Sequence, residues 1–226
     1  MPSALITGGS SGIGLALARM LAQEGYALTL AARKLERLEA ARAELGAEVV
    51  QGDVGREEDC ARMVSAHAER FGGLDVLVNS AGIGIGGSLA DLSTKHWDLQ
   101  QAVNLRGTFL VTREALPLLR AARGYVVNLA SIAGTMPTPG LGAYGAAKAA
   151  VIALTRSLVR EEAAHGVRAT ALCPGFVDTP MAAWTGIPGG RMIQPEDCAE
   201  LVRALLRLSP HARVPVVVVE RDETET

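Results

Sequence analysis

Thr7-Gly8-Gly9-Ser10-Ser11-Gly12-Ile13-Gly14 is the stretch on which the reading of the fold turns. A short apolar run, Ser3–Thr7, leads into it, and a segment of helical period, 12–24, leaves it. Strand, glycine-rich turn and helix in that order form the phosphate-binding turn of a dinucleotide-binding βαβ unit. Gly8 makes the tight turn, Gly12 lets backbone approach a pyrophosphate, and Gly14 lets the helix pack on the sheet. The free N–H groups of the helix start then face the phosphates. The expected cofactor contacts here are Gly8, Gly9, Ser10, Ser11, Gly12, Ile13 and Gly14. A ligand-free glycine turn is the competing reading, and the strand-to-helix context weighs against it.

Outward from this turn, short apolar runs alternate with longer amphipathic segments. The runs are 27–31, 48–52, 75–79, 125–130, 168–173 and 214–219, rich in Val, Leu and Ile with little polar alternation. Strands covered on both faces read this way. Helical period marks 35–45, 57–71, 94–122, 144–165 and 195–208. The alternation predicts an α/β fold: a doubly wound, Rossmann-type, mostly parallel sheet of seven strands between two helical layers. One domain, 1–219, is expected to hold both cofactor and catalytic residues, followed by a polar, disordered tail over 220–226. Gly- and Pro-rich stretches at 133–143 and 179–190 follow strands and are candidate walls of a site.

The 226 residues suit one such domain, and 49% hydrophobic against 20% charged residues excludes disorder as the main state. A net charge of −2 argues against bulk electrostatic binding of nucleic acid. No apolar run spans a bilayer and no secretory signal is read, so a cytoplasmic protein without a membrane partner is expected. Cys60, Cys173 and Cys198 lack metal-ligand spacing and read as free thiols; no metal is expected.

At the end of the second strand run Ala32 stands where an NAD-selective fold carries an acid, and Arg33 follows. A guanidinium pairs with a 2′-phosphate, so NADP(H) is preferred, with NAD(H) still open. Other strand ends supply Asp53-Val54 and Asn79-Ser80-Ala81-Gly82. Asp53 can accept from the adenine amino group, and Asn79 can tie neighbouring strand ends; either can also be a turn residue. Asp53, Val54, Asn79, Ala81 and Gly82 join the expected cofactor set.

Tyr144 and Lys148 stand at i, i+4 on one helical face. A phenol with a pKa near ~10 is a poor acid–base group at neutral pH, and a neighbouring ammonium lowers that value. Ser131, at a strand end 13 residues before Tyr144, can hydrogen-bond a substrate carbonyl. Asn104 is a poor helix former inside a helical segment, which hints at function or at a kink. Pro174-Gly175, then Val177 and Thr179, offer a backbone-rich edge for a nicotinamide.

Over residues 2–181 these motifs resemble the short-chain dehydrogenase/reductase family in its compact single-domain branch. Ser80 departs from the family's Asn-Asn-Ala-Gly. The resemblance implies a catalytic tetrad of Asn104, Ser131, Tyr144 and Lys148. Tyr144 would be the general acid/base and Ser131 would polarise the oxygen. Lys148 would lower the Tyr144 pKa and hold the nicotinamide ribose, and Asn104 would anchor a water. It implies a small carbonyl or alcohol substrate and a homodimer or homotetramer. Its lid is short, at 178–193, where Met181, Trp184 and Ile187 either line an apolar cover or simply pack. A non-catalytic nucleotide sensor is the reading from another class; the intact tetrad argues against it.

Overall fold

The structure, a computed structural model, describes residues 1–222. Seven strands form one parallel sheet: β1 (Ser3–Thr7), β2 (Ala27–Ala32), β3 (Glu48–Gln51), β4 (Val76–Asn79), β5 (Tyr125–Leu129), β6 (Arg168–Pro174) and β7 (Val216–Val219). Their order is β3-β2-β1-β4-β5-β6-β7. The doubly wound sheet is therefore as the sequence predicts.

Alternation along each strand feeds two cores. Ala4, Ile6, Val76 and Val78 pack on one face with Leu17 and Leu21 of α1 (Gly12–Gln23). Val202 and Leu205 of the C-terminal helix Pro195–Arg207 join them. Leu5, Leu77 and Val126 face the other way, against Met63, Leu110 and Leu119. Between α1 and the C-terminal helix lie α2 (Leu35–Leu45), α3 (Glu57–Phe71), α4 (Thr94–Gln101), α5 (Gly107–Ala122) and α6 (Gly142–Glu161), which makes Pro195–Arg207 α7.

The sequence predicts one helix over 94–122. The structure instead breaks it with a π-helical turn at Ala102–Arg106. The extra residue in that turn changes which face the following side chains present, and Asn104 sits inside it, fully buried.

Strand order reverses between β1 and β4, whose last residues Thr7 and Asn79 pair. Ligands of open α/β sheets bind at such a switch point. Asn79 ties the strand ends as expected: Nδ2 donates to Asn128 Oδ1 on β5 (2.8 Å) and to Thr112 Oγ1 on α5 (2.9 Å). Asn128 in turn donates to Thr155 Oγ1 on α6 (2.9 Å). The three cysteines are free and buried, and burial pushes their thiols up to about 11 or 12. Among the described residues no helix is long and apolar enough to cross a membrane.

Candidate active site

The nucleotide end is built on close backbone approach. Gly8 has φ +68°, and a Cβ there would come within 2.8 Å of the Ala81 nitrogen across the switch point. Gly12 has φ +52°, with Thr179 Cγ2 at 3.0 Å from the same imagined atom. At Gly14 a Cβ would strike the Gly8 carbonyl. Ser11 occupies the N-cap of α1 but makes no capping hydrogen bond, and the first turn carries no acid. The opening N–H groups are left for an external anion, so this cradle fits a dinucleotide pyrophosphate.

A cavity of about 760 Å³ runs from this cradle past the ends of β4, β5 and β6. Of the expected residues, Gly8, Ser11, Gly12, Ile13, Ala81, Gly82, Ser131, Tyr144, Lys148, Pro174, Gly175, Val177 and Thr179 line it. The others do not. Gly9 packs under the turn, where a Cβ would meet Leu30 Cδ2 at 3.0 Å, and Ser10 lies beside it off the cavity wall. Asn79 lies beneath, committed to its amide network. Asp53 Oδ1 accepts from the Gly55 N–H (2.9 Å), the turn role of an Asx residue, and Val54 is buried against Gly107. Arg33 is exposed at the end of β2; its carbonyl accepts from Gln51 Nε2 (2.9 Å). Among the described residues its guanidinium makes no ion pair.

At the chemical end, Ser131 caps a single 3₁₀ turn, Ile132–Gly134, and its Oγ accepts from the Ala133 N–H (3.2 Å). That turn lies directly on α6. A Cβ at Gly134 would meet Ala149 N at 2.7 Å, and one at Gly145 would meet the Ala133 carbonyl at 2.7 Å. The two glycines thus let the turn that Ser131 caps pack closely on α6, which carries Tyr144.

Lys148 is buried, and its Nζ donates to the Leu129 carbonyl (2.6 Å) while lying 5.6 Å from the Tyr144 ring centroid. Burial lowers the lysine to about 8. Burial pushes the Tyr144 phenol above its ordinary value, and the Ser131 hydrogen bond opposes this. The ammonium, with one of its three N–H groups donated to Leu129, is itself disfavoured by desolvation. Asn104 does not reach the cavity wall. Its amide is bonded to Ile83, and its carbonyl accepts from Thr108 Oγ1 (3.0 Å).

Gly84 and Gly86 are wall residues that no motif singled out, whereas Met181 and Trp184 line the wall as one of the two readings of the lid expects. Gly84 and Gly86 follow Gly82 in a Gly-Ile-Gly-Ile-Gly-Gly run whose period of two was the available signal. Met136 and Pro137 come from the Gly/Pro stretch after β5. Met181 and Trp184 come from the short lid, whose Trp184 meets Phe176 edge-on at 6.2 Å; Ile187 is outside the wall. Glu220, Arg221 and Asp222 also line the cavity, because β7 pairs with β6 as far as Pro174 and carries the chain past Gly175. The expected disordered tail thus begins with three residues placed in the wall, and 223–226 lie outside the described residues.

The family model for short chain dehydrogenases matches residues 2–186. The chain belongs to the short-chain dehydrogenase family. An uncharacterized oxidoreductase of Staphylococcus epidermidis is 37% identical over 219 residues, 96% of this chain and 95% of that protein. One from Staphylococcus aureus is 36% identical over 220 residues, again 96% and 95%. Among solved structures, an alcohol dehydrogenase from the archaeon Thermococcus sibiricus, complexed with 5-hydroxy-NADP, superposes with TM-score 0.91. It is 35% identical, and the match covers 100% of this chain and 98% of that one. Levodione reductase superposes at 0.88 with 33% identity, covering 96% and 95%. This short-chain dehydrogenase is therefore an oxidoreductase by family.

Proposed function

We propose that the protein transfers hydride between NADP(H) and a small carbonyl or alcohol substrate, with Tyr144 as general acid/base. The observation that carries this reading is the meeting of Tyr144, Lys148 and Ser131 in one cavity with the open N-terminus of α1. When bound, the dinucleotide supplies or takes up the hydride. Tyr144, a phenol that is protonated at neutral pH, gives its proton to the carbonyl oxygen. Ser131, whose oxygen accepts from the Ala133 N–H, turns its own hydrogen from Tyr144 to that same oxygen. Lys148 holds positive charge beneath the phenol and would hold the nicotinamide ribose, while Asn104 sets the Gly82 loop above it.

NADP(H) is preferred over NAD(H) because Arg33 presents a guanidinium at the end of β2, with no acid at Ala32 to bond a ribose hydroxyl. The bound NADP derivative in the archaeal relative is in keeping with this. A single domain over 1–219 and a cytoplasmic setting complete the reading. A homodimer or homotetramer is supported by Trp97, Leu99 and Phe109, apolar side chains exposed on α4 and α5. Titration of purified protein with NADPH and NADH tests the cofactor. NADPH binds more tightly, and Arg33→Ala weakens NADPH by about tenfold while sparing NADH. Equal effects on both contradict the role of Arg33.

A further inference from the structure

After β4 the chain runs as an extended strip in which glycines and isoleucines alternate. Gly82, Gly84 and Gly86 line the cavity, whereas Ile83 and Ile85 do not. Two fully buried side chains hold the strip from behind. Asn104 Oδ1 accepts from the Ile83 N–H (2.9 Å), and Gln100 Oε1 accepts from the Ile85 N–H (3.0 Å).

The three glycines are bare for different reasons. A Cβ at Gly82 would come within 3.1 Å of Asn104 Oδ1, so packing there favours glycine. A Cβ at Gly84 would meet nothing nearer than Met181 Sδ at 4.0 Å, and one at Gly86 nothing nearer than the Gly140 carbonyl at 3.6 Å. Both are ordinary contact distances, and neither glycine has left-handed backbone. Local structure thus accepts a side chain at 84 and 86. What the missing side chains leave is open space in the cavity.

The loops that meet the strip bring large apolar side chains to it. The lid brings Met181 to Gly84 and carries Trp184. The loop after β5 is pinned to the strip by the Gly87 N–H donating to the Gly140 carbonyl (2.9 Å), and it carries Met136. Met136, Met181 and Trp184 are 52%, 45% and 66% exposed, so all three have apolar surface left for a ligand to cover. Bare peptide on one side with thioethers and an indole on the other suits a flat apolar ring.

We propose that Gly84 and Gly86, with Met136, Met181 and Trp184, form a slot that selects substrates whose carbonyl or alcohol carbon carries a flat apolar ring system. This deepens the oxidoreductase reading and rests on it. The test compares 2-tetralone with butan-2-one, by NADPH consumption, in wild type, Gly84→Val and Trp184→Ala. Calorimetric titration of 2-tetralone into each protein without coenzyme runs alongside.

Wild type should have the higher kcat/KM for 2-tetralone. Gly84→Val should lower that value by at least about tenfold while leaving butan-2-one within about twofold. Trp184→Ala should act the same way from the other wall, which keeps the test decisive if Gly84→Val does not fold. Equal losses on both ketones, or a wild-type preference for butan-2-one, overturn the slot. If neither ketone is reduced, the proposed reduction of small ketones fails and calorimetry alone decides the slot. Binding of 2-tetralone that weakens in the variants then upholds the slot, and absent or unchanged binding overturns it.

Discussion

Asn104 and Ile83 are joined through both ends of the asparagine amide: Nδ2 donates to the Ile83 carbonyl and Oδ1 accepts from the Ile83 N–H, each at 2.9 Å. The π-helical turn makes this possible by turning a helical residue back onto the loop after β4. Gly82 is thereby held so that a Cβ on it would lie 3.7 Å from Lys148 Nζ. The clamp sets the distance between the loop and the lysine.

Replacing Asn104 with Ala leaves both polar groups of Ile83 without that partner. Unfolding in urea should show a loss of about 1–3 kcal/mol. Asn104→Asp should not restore it, since a carboxylate cannot donate to the Ile83 carbonyl. Stability equal to wild type in either variant contradicts the clamp.

Lys148 sits at about 8 in the fold, against an ordinary value of 10.5. Below pH 8 the lysine is charged in both folded and unfolded chains, so the desolvation penalty is fully present. Between about 8 and 10.5 the folded protein is neutral there while the unfolded chain still binds a proton, so stability from this group rises with pH. A Lys148→Met variant should therefore hold its greatest stability advantage over wild type below pH 8 and lose it toward pH 10.5. Melting temperatures across that range check this; a pH-independent difference contradicts it.

His67 is buried where α3 meets the N-terminal ends of β1 and β2. Its Nε2 donates to the Gly73 carbonyl (2.9 Å), so Nδ1 accepts from Thr29 Oγ1 (2.8 Å). Ser3 Oγ also stands 3.2 Å from Nε2. Burial holds the ring below its ordinary 6.5. Stability from the neutral ring is present above pH 6.5 and is lost as pH falls toward the folded value. Wild type should lose melting temperature on acidification below pH 6.5, and His67→Gln should lose less. Parallel curves contradict the assignment.

The sheet, its order of elements and the cradle at Gly8–Gly14 were legible because each depends on a local pattern: apolar runs, helical period and glycines in a fixed order. Tyr144, Lys148 and Ser131 were legible for the same reason. Less legible was whatever depends on long-range packing. The helical period of 94–122 does not announce an inserted residue at Ala102–Arg106; Asn104, a poor helix former, is the hint of a kink there. Spacing placed Lys148 beside Tyr144 but could not show that its ammonium also donates to the Leu129 carbonyl on a neighbouring strand. Asp53 and Asn79 were correctly seen at strand ends, yet their side chains serve a turn and a strand tie. The polar end of the chain reads as a tail by composition, while the β6–β7 pairing puts Glu220–Asp222 in the cavity wall.

On this mechanism Tyr144 moves the proton while the glycine cradle holds the cofactor. The most direct measurement is NADPH-dependent reduction of 2-tetralone and of butan-2-one by Tyr144→Phe, together with its NADPH dissociation constant. Turnover should fall by at least about a hundredfold with NADPH binding unchanged. Turnover near the wild-type level, with binding intact, would contradict it.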